Sequence, residues 1–194
     1  MTGVEGNGYQ GARERILDAA YPLFSRHGIH AVGIDRIVSD AEVAKMTLYR
    51  HFPSKEELVL AFLDLREQRW TTGWLQREVE LRASDPAMRM LTLFDVLDEW
   101  FRRHDYEGCA FVNTLLETHG EGGPIYESAA THLATIRELI AGWAVRAGAA
   151  DAETTAYQLQ TLMMGAIVSA ARGDRDAAGR SRELARMIVE RLPA

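Results

Sequence analysis

Helical periodicity along most of the chain is the sequence feature that most limits its fold. Apolar residues recur at spacings of three and four, as they do on one face of an α-helix. The first such face carries Ile16, Leu17, Ala20, Leu23 and Phe24. No run of residues alternates between apolar and polar as a half-buried strand would. The pattern therefore predicts an all-α fold.

Capping signals divide this periodic pattern into nine predicted helices. Ser54 and Glu57 have the spacing of a capping box, and Asp85-Pro86 combines a cap with proline at the first helical position. Asp151 is a further candidate cap, and Asp176 can start the last helix. Gly28 and Gly148 stand where helices should end. The predicted helices span about residues 12–27, 34–40, 45–51, 54–82, 86–104, 109–118, 125–147, 152–172 and 176–192.

Three segments are predicted from this layout. Residues 1–11 are glycine-rich and are expected to form a disordered tail. Residues 12–53 would form an N-terminal domain of three helices, and residues 54–194 would form a larger helical domain. The boundary is placed at the capping box, since no linker of distinctive composition interrupts the chain.

Composition indicates a folded protein of the cytoplasm. Apolar residues make up 47% and charged residues 26%, which is typical of a globular protein with a substantial core. The one cysteine, Cys109, can form neither an intrachain disulfide nor a cysteine-based zinc site. The first ten residues lack the features of a secretory signal, and polar residues interrupt the charge-free stretch 154–171. We expect a cytoplasmic location, no membrane span, no cofactor and no metal.

Charge is distributed unevenly along the chain. The net charge of −6 argues against a nucleic-acid partner, because DNA affinity depends largely on Lys and Arg. Residues 1–55, however, hold seven basic and six acidic side chains, whereas the remainder holds 15 basic and 22 acidic ones. This asymmetry is weak support for a DNA-binding N-terminal segment.

Residues 34–52 carry the most informative pattern. Two short helices joined by a tight turn suit DNA, because the second can enter the major groove while the first crosses the backbone. Apolar residues would fix the pair against the first helix: Ile34, Ile37, Val38, Ala41, Val43, Leu48 and Phe52. The residues left facing outward are Lys45, Met46, Thr47, Tyr49 and Arg50.

The segment AEVAKMTLYRHFPSKEEL, residues 41–58, strongly resembles the tetracycline-repressor (TetR) family. The family pattern covers about residues 12–60, and the length and nine-helix layout are similar over the rest of the chain. GCAFVN at residues 108–113 also resembles a segment found in many members. The resemblance implies a homodimeric DNA-binding repressor, or less often an activator, with an N-terminal helix-turn-helix and a C-terminal domain that binds a small-molecule effector.

Two positions depart from the family pattern. Glu42 stands where the family usually has glycine, so the turn is expected to be strained or differently wound. Ala44 replaces a common serine, which removes a hydroxyl that could cap the recognition helix or contact phosphate. Neither change removes the outward-facing residues.

Each candidate DNA contact has a structural alternative. Arg50 is the expected reader of a guanine edge and Lys45 a phosphate contact, although both could be ordinary solvated charges. The resemblance implies phosphate contacts for Tyr49 and Lys55. Tyr49 could instead pack at the domain edge, as could His51. Met46 and Thr47 could touch a thymine methyl or a phosphate, or merely cover the surface. The candidate DNA-binding residues are Lys45, Met46, Thr47, Tyr49, Arg50, His51 and Lys55.

The last two predicted helices are the expected dimer interface. One helix-turn-helix contacts one half-site, so selective binding needs two copies about one DNA turn apart, ~34–36 Å. Two helices from each subunit would form a four-helix bundle; alternatively, they form only an intrachain core. The candidate interface residues are Leu159, Leu162, Met163, Ala166, Ile167, Leu184, Met187 and Ile188.

Aromatic residues with a few polar neighbours suggest where an effector binds. Large apolar faces with a few polar tips suit a small-molecule pocket, although aromatic residues at helical spacing also build cores, and His104 could be a surface residue. The candidates are Trp70, Trp74, Trp100, His104, Phe111, Asn113 and Glu117. The long helix from Ser54 would be the lever by which ligand changes the half-site separation.

The sequence argues against two other functional classes. A helical enzyme is disfavoured because the sequence lacks the G-x-S-x-G, Walker A, G-x-G-x-x-G, H-E-x-x-H and EF-hand patterns, so we expect no catalytic residues. An adaptor with a vestigial helix-turn-helix would not bind an operator with steep salt dependence.

Overall fold

The computed structural model describes residues 5–120 and 122–192, and it is helical throughout apart from short connections. The helices are α1 (Glu5–His27), α2 (Ile34–Asp40), α3 (Lys45–His51), α4 (Lys55–Arg66), a π-helical segment (Glu67–Gln76), α5 (Arg77–Arg82), α6 (Pro86–Phe101), α7 (Ala110–Glu117), α8 (Pro124–Arg146), α9 (Ala152–Ala171) and α10 (Ala177–Val189). Since α4, the π-helical segment and α5 are contiguous, the described residues form nine continuous helical runs. The predicted all-α, nine-helix fold is confirmed.

The three predicted N-caps form the expected hydrogen bonds. The Ser54 hydroxyl accepts from the backbone N–H of Glu57 at 3.1 Å. The carboxylates of Asp85 and Asp151 each accept from the backbone N–H three residues ahead, both at 2.9 Å. Asp176 occupies the N-cap position of α10, so the predicted start of the last helix is confirmed, although its side chain makes no capping hydrogen bond. Its own N–H donates to Asp174 at 3.0 Å, so Asp174 orders this turn instead.

The first helix begins earlier than the periodicity predicts. α1 starts at Glu5 rather than near residue 12, so residues 5–11 of the expected tail belong to this helix. The first four residues of that tail lie outside the described residues. The predicted end is confirmed, because Gly28 has φ +79°, a left-handed conformation that favours glycine.

The chain divides into two compact units. One comprises residues 1–66 and 109–130, and the other comprises residues 67–108 and 131–194. Neither unit ends at the predicted boundary between residues 53 and 54. The confinement of DNA binding to the residues before that boundary stays a prediction. The first unit joins α1–α4 to α7, and the second contains the π-helical segment, α5, α6, α9, α10 and most of α8.

Each unit has its own apolar core. In the first unit α1 packs against α2, α3 and α4, and its fully buried side chains include Ile16, Ile37 and Leu48. In the second unit α10 packs against both α6 and α9, and Phe94, Trp143 and Met163 are completely enclosed. Among the described residues, no helix is long and apolar enough to cross a membrane.

Candidate functional site

The helix-turn-helix of the first unit is held by buried residues of α2 and α3. Ile37 of α2 and Leu48 of α3 are both 0% exposed, and Phe52, just after α3, is also buried. The guanidinium of Arg13 lies 5.1 Å from the centre of the Phe52 ring. Because the apolar side of α3 is fixed in this way, its opposite side faces solvent in a defined orientation.

The turn between α2 and α3 requires an unusual backbone conformation at Glu42. This residue has φ +51°, and it is the one non-glycine residue with positive φ in the described part of the chain. Its N–H donates to the Ser39 carbonyl at 3.2 Å, and the N–H of Val43 donates to the Val38 carbonyl at 3.2 Å. The left-handed region costs a non-glycine residue free energy. The strain expected from glutamate at this position is therefore present.

The N-terminus of α3 has no side-chain cap. Ala44 occupies the N-cap position with φ −71° and ψ 145°, and its methyl group can accept no hydrogen bond. Its carbonyl accepts the first helical hydrogen bonds from Thr47 and Leu48. The absence of serine here thus leaves donors at the start of the recognition helix to solvent or to a ligand.

Six of the seven candidate DNA contacts lie on one short helix, α3, mostly on its solvent side. Met46 is 68% and Tyr49 is 40% exposed, which is unusual for large apolar side chains. Lys45 and Arg50 are exposed, and Thr47 is partly so. An exposed set of cationic, hydroxyl and apolar groups on one helix can contact phosphates and base edges together.

Lys45 is not a free cation in this structure. Its Nζ lies 2.7 Å from Oδ1 of Asp35, at the start of α2. The hydrogen bond to Asp35 raises the Lys45 pKa above its ordinary value. Both side chains remain largely exposed, so the pair is weak and a phosphate can replace the carboxylate. Sequence reasoning missed Asp35, because its spacing from Lys45 follows no helical repeat.

His51 and Lys55 differ from the other candidates. His51 is half-buried at the end of α3, and burial together with the charge of Arg13 lowers the pKa of its imidazole. A neutral, partly enclosed imidazole favours the packing alternative for His51 over a phosphate contact. Lys55 begins α4, and partial burial lowers its pKa, while the nearby carboxylate of Glu117 acts in the opposite direction.

The three candidate tryptophans of the effector site lie together in the second unit. The Trp70 ring centre is 4.9 Å from that of Trp100 and 5.8 Å from that of Trp74. Tyr106 packs edge-on against Trp100 at 4.8 Å, and its hydroxyl donates to the Ile167 carbonyl at 2.7 Å. Trp70 and Trp74 belong to the π-helical segment. Irregular helical segments of this kind are frequent at functional sites.

Sequence reasoning missed a contact between a buried histidine and a carboxylate in this unit. His132 of α8 is 7% exposed, and its Nδ1 contacts the carboxylate of Glu67, the first residue of the π-helical segment. A lone histidine inside a helix carries no sequence signal for such a partner. The pairing follows from how α8 packs within its unit.

The other four effector-site candidates are not part of this aromatic cluster. His104 is exposed in the connection after α6, as its alternative interpretation had it. Phe111, Asn113 and Glu117 lie on α7 in the first unit, where Phe111 is buried and Asn113 is exposed. Glu117 contacts the loop after α1 instead of an enclosed cavity, since its carboxylate accepts from the N–H of His30 at 2.9 Å. The structure therefore brings three of the seven candidates together.

The candidate interface residues differ in exposure: most of those on α9 are buried, whereas Leu184 and Met187 on α10 are exposed. Leu159, Met163, Ala166 and Ile167 are 0–3% exposed and pack inside the protomer, because α9 also supplies the core of its own unit. Leu184 and Met187 of α10 are 52% and 56% exposed. They line an open groove of about 440 Å³ between α9 and α10, together with Tyr157, Gln158, Thr161, Leu162, Ile188 and Arg191. We call these eight residues the α9–α10 groove.

Sequence-family comparisons match both parts of the chain. The family model described as bacterial regulatory proteins, tetR family, matches residues 16–62. A second, described as the tetracyclin repressor-like C-terminal domain, matches residues 86–185 and so covers more than half of the chain. The first match includes the whole helix-turn-helix, and the second includes α6–α9 and most of α10.

Individual proteins give a consistent result. The chain is 27% identical over 89 residues to the HTH-type transcriptional regulator QacR of Staphylococcus aureus, covering 46% of this chain and 47% of that protein. It is 34% identical over 100 residues to the HTH-type transcriptional activator FasR of Mycolicibacterium smegmatis, covering 52% and 44%. The matches thus span about half the length of these curated relatives.

A solved structure extends the likeness to nearly the whole fold. A TetR-family transcriptional regulator from Streptomyces coelicolor superimposes with a TM-score of 0.83, covering 94% of this chain and 96% of that one. At 24% sequence identity this likeness shows a shared fold.

Proposed function

Because the chain belongs to the TetR family of bacterial regulatory proteins, we propose that it is a ligand-responsive transcription regulator that binds operator DNA as a homodimer. The exposed face of α3 is the observation that carries the proposal. The buried residues Ile37 and Leu48 fix the helix pair, and they leave Met46, Tyr49 and Arg50 turned to solvent. The proposal assigns no catalytic step to the chain, and DNA binding would take place in the cytoplasm.

Within this face we propose a division of roles. Arg50 would read a base edge, since its planar guanidinium can donate two hydrogen bonds to guanine. Lys45, Tyr49 and Lys55 would contact phosphates, and Met46 and Thr47 would meet the groove wall or a thymine methyl. His51 would support the end of α3 from its half-buried position.

Dimerisation through the α9–α10 groove would supply the second half-site. Leu184 and Met187 expose apolar surface beside Tyr157, which is 60% exposed. An apolar surface that pairs with its own copy about a twofold axis gives a four-helix bundle, and burial of these side chains would stabilise it. The interface we propose therefore consists of the groove between α9 and α10 and does not include the buried face of α9.

We propose that the second unit holds the effector, near the cluster of Trp70, Trp74 and Trp100. Aromatic faces and the partly buried Glu67–His132 pair together provide apolar and polar contacts for a small molecule. Ligand would weaken operator binding only if it bound the DNA-incompetent state better than the competent one. The helical run from Lys55 to Arg82 would be the connecting lever, and comparing free and liganded dimers tests that role.

Protection of DNA from cleavage tests the proposal. Purified protein is added to the DNA flanking its own gene and treated with a nuclease or hydroxyl radicals. The proposal expects two protected half-sites of related sequence, with centres about one helical turn apart, ~34–36 Å or a multiple of it. Uniform partial protection that follows no sequence and disappears evenly with salt would contradict operator recognition.

A further inference from the structure

Glu117 and His30 connect α7 to the helix-turn-helix through two hydrogen bonds. The backbone N–H of His30 donates to Oε2 of Glu117 at 2.9 Å. The imidazole Nε2 of His30 lies 3.2 Å from the Glu117 carbonyl oxygen, which can only accept, so Nε2–H is the donor. We call this pair of bonds the Glu117–His30 clasp. The residues are 87 positions apart in sequence, so the clasp is a purely tertiary feature.

Each bond of the clasp satisfies a group that the local structure leaves open. Glu117 is the last residue of α7, so its carbonyl has no acceptor role inside that helix. The imidazole of His30 takes this role and caps the helix from outside. In return, the carboxylate receives a loop N–H that belongs to no helix. The clasp is therefore reciprocal, with each residue completing the hydrogen bonding of the other.

The residues around the Glu117 carboxylate leave space for it and supply a positive charge. Gly28 has φ +79°, and a Cβ at that position would overlap the carboxylate of Glu117. Lys55 is at the start of α4. Burial lowers the pKa of its ammonium group, and the nearby charge of Glu117 partly opposes this effect. Phe111, Thr114 and Thr118 bury the other side of the same short segment. The side chain is thus placed by packing, by a missing Cβ and by a nearby cation.

The position of the clasp in the chain suggests its role. His30 lies four residues before α2 begins, and the N-cap of α2, Gly33, has no side chain that could fix the start of that helix. α2 in turn packs against both α1 and α3. A restraint on the loop at His30 therefore restricts where α2 can start, and so restricts the orientation of the recognition helix.

We propose that Glu117 is a positioning residue for DNA binding, which acts by holding the loop between α1 and α2 in its DNA-competent conformation. This inference rests on the proposed function and reassigns Glu117 from the effector site to the DNA-binding unit. Without the clasp, the loop samples additional conformations, and apparent affinity falls in proportion to the competent fraction. Glu117 touches no phosphate in this role, so it changes affinity without changing the number of counterions released.

The test compares Glu117→Ala and Glu117→Gln with the wild-type protein. Glu138→Ala is the control, because Glu138 is an exposed glutamate of α8 outside the DNA-binding unit and its loss changes net charge equally. Operator affinity is measured by mobility shift over a salt series, and amide hydrogen exchange of residues 28–40 is measured without DNA. The exchange readout depends on the clasp itself and does not require an operator.

We expect Glu117→Ala to bind the operator about tenfold more weakly and to lose protection of the His30 amide. Its salt slope should match the wild-type slope, whereas loss of a phosphate contact would reduce it by about 0.9. Glu117→Gln retains a side-chain oxygen acceptor, so its operator affinity should stay within about threefold of the wild-type affinity. This variant also keeps the inference testable if Glu117→Ala folds poorly. Glu138→Ala should bind as wild type does.

Two results would overturn the inference and are distinguishable from failure of the proposed function. If wild type binds its operator and Glu117→Ala binds within twofold of it, Glu117 does not position the helix-turn-helix. If the alanine and glutamine variants lose affinity equally while the His30 amide stays protected, the charge acts without the clasp. A wild-type protein that binds no operator would overturn the proposed function together with this inference.

Discussion

At the scale of single residues, the turn between α2 and α3 places a glutamate in a backbone conformation that favours glycine. Glu42 adopts φ +51°, in the left-handed region, without the freedom that glycine would have there. The conformation persists because α2 and α3 on either side are anchored by Ile37 and Leu48. The strain is therefore local, and a single substitution should relieve it.

Replacing Glu42 by glycine should stabilise the protein by about 1 kcal/mol, since the left-handed conformation costs an L-residue roughly 1–2 kcal/mol, part of which is offset by glycine's greater entropy when unfolded. Urea unfolding of the variant and the wild type measures this difference. The control is Glu14→Gly in the helical part of α1, which should destabilise by about 1 kcal/mol. Equal losses in both variants would show that Glu42 is not strained.

A second residue-scale prediction concerns the partner of Lys45. Asp35→Asn removes the carboxylate that lies 2.7 Å from Lys45 Nζ. Lys45 then no longer has to break an ion pair with Asp35 before it binds a DNA phosphate. An exposed pair is weak, so operator affinity should rise about two- to fivefold at low salt. Asp40→Asn, at the other end of α2, removes the same charge without touching Lys45 and is the matched control. Weaker binding by Asp35→Asn alone would mean that Asp35 orients Lys45 for DNA.

At the scale of helices, the recognition helix is short and begins without a cap. α3 has seven residues, and the side chain of Ala44 at its N-cap offers no acceptor to the first N–H groups. A helix of this length depends on tertiary packing for its stability, so each missing terminal hydrogen bond matters.

Ala44→Ser should stabilise the protein by about 1 kcal/mol, because a serine hydroxyl at the N-cap accepts from an N–H two or three residues ahead. Thermal or urea unfolding measures the effect. Ala31→Ser, an exposed alanine in the loop before α2, is a control that adds a hydroxyl away from any N-cap. The account of α3 would be contradicted if both substitutions changed stability by the same amount.

Helix starts that depend on local chemistry were predictable, and those that depend on tertiary packing were not. The caps at Ser54, Asp85 and Asp151 are contacts within three residues, so a sequence pattern suffices to find them. The change to π-helical hydrogen bonding at Glu67 has no comparable local signal, since residues 67–76 keep a helical pattern of apolar side chains. The partners of Glu117 and His132 lie 87 and 65 residues away, beyond the reach of any periodicity.

At the scale of the whole molecule, apolar surface that remains on the protomer indicates where a second copy binds. Helical periodicity cannot distinguish a side chain buried in its own core from one buried between subunits. That is why Leu159 and Met163 were predicted together with Leu184 and Met187, although the first two are completely buried and the last two are about half exposed.

Met187→Glu should convert the dimer to a monomer at micromolar concentration, since it places a charge among the apolar side chains of the α9–α10 groove, and removing that charge from water on dimerisation is costly. Sedimentation velocity measures the oligomeric state. Val145→Glu on α8 is the control, because Val145 is 64% exposed and does not line that groove. Dimers that persist in Met187→Glu but dissociate in Val145→Glu would place the interface elsewhere.

The measurement that tests the central claim most directly is the affinity of Arg50→Ala for the operator and for a scrambled duplex of equal length. Arg146→Ala, an exposed arginine at the end of α8, is the matched control. The account predicts that Arg50→Ala loses about tenfold or more in affinity for the operator, from a bidentate contact worth about 1–3 kcal/mol, and little for the scrambled duplex. Equal losses on both duplexes, or none, would contradict base recognition by the exposed face of α3.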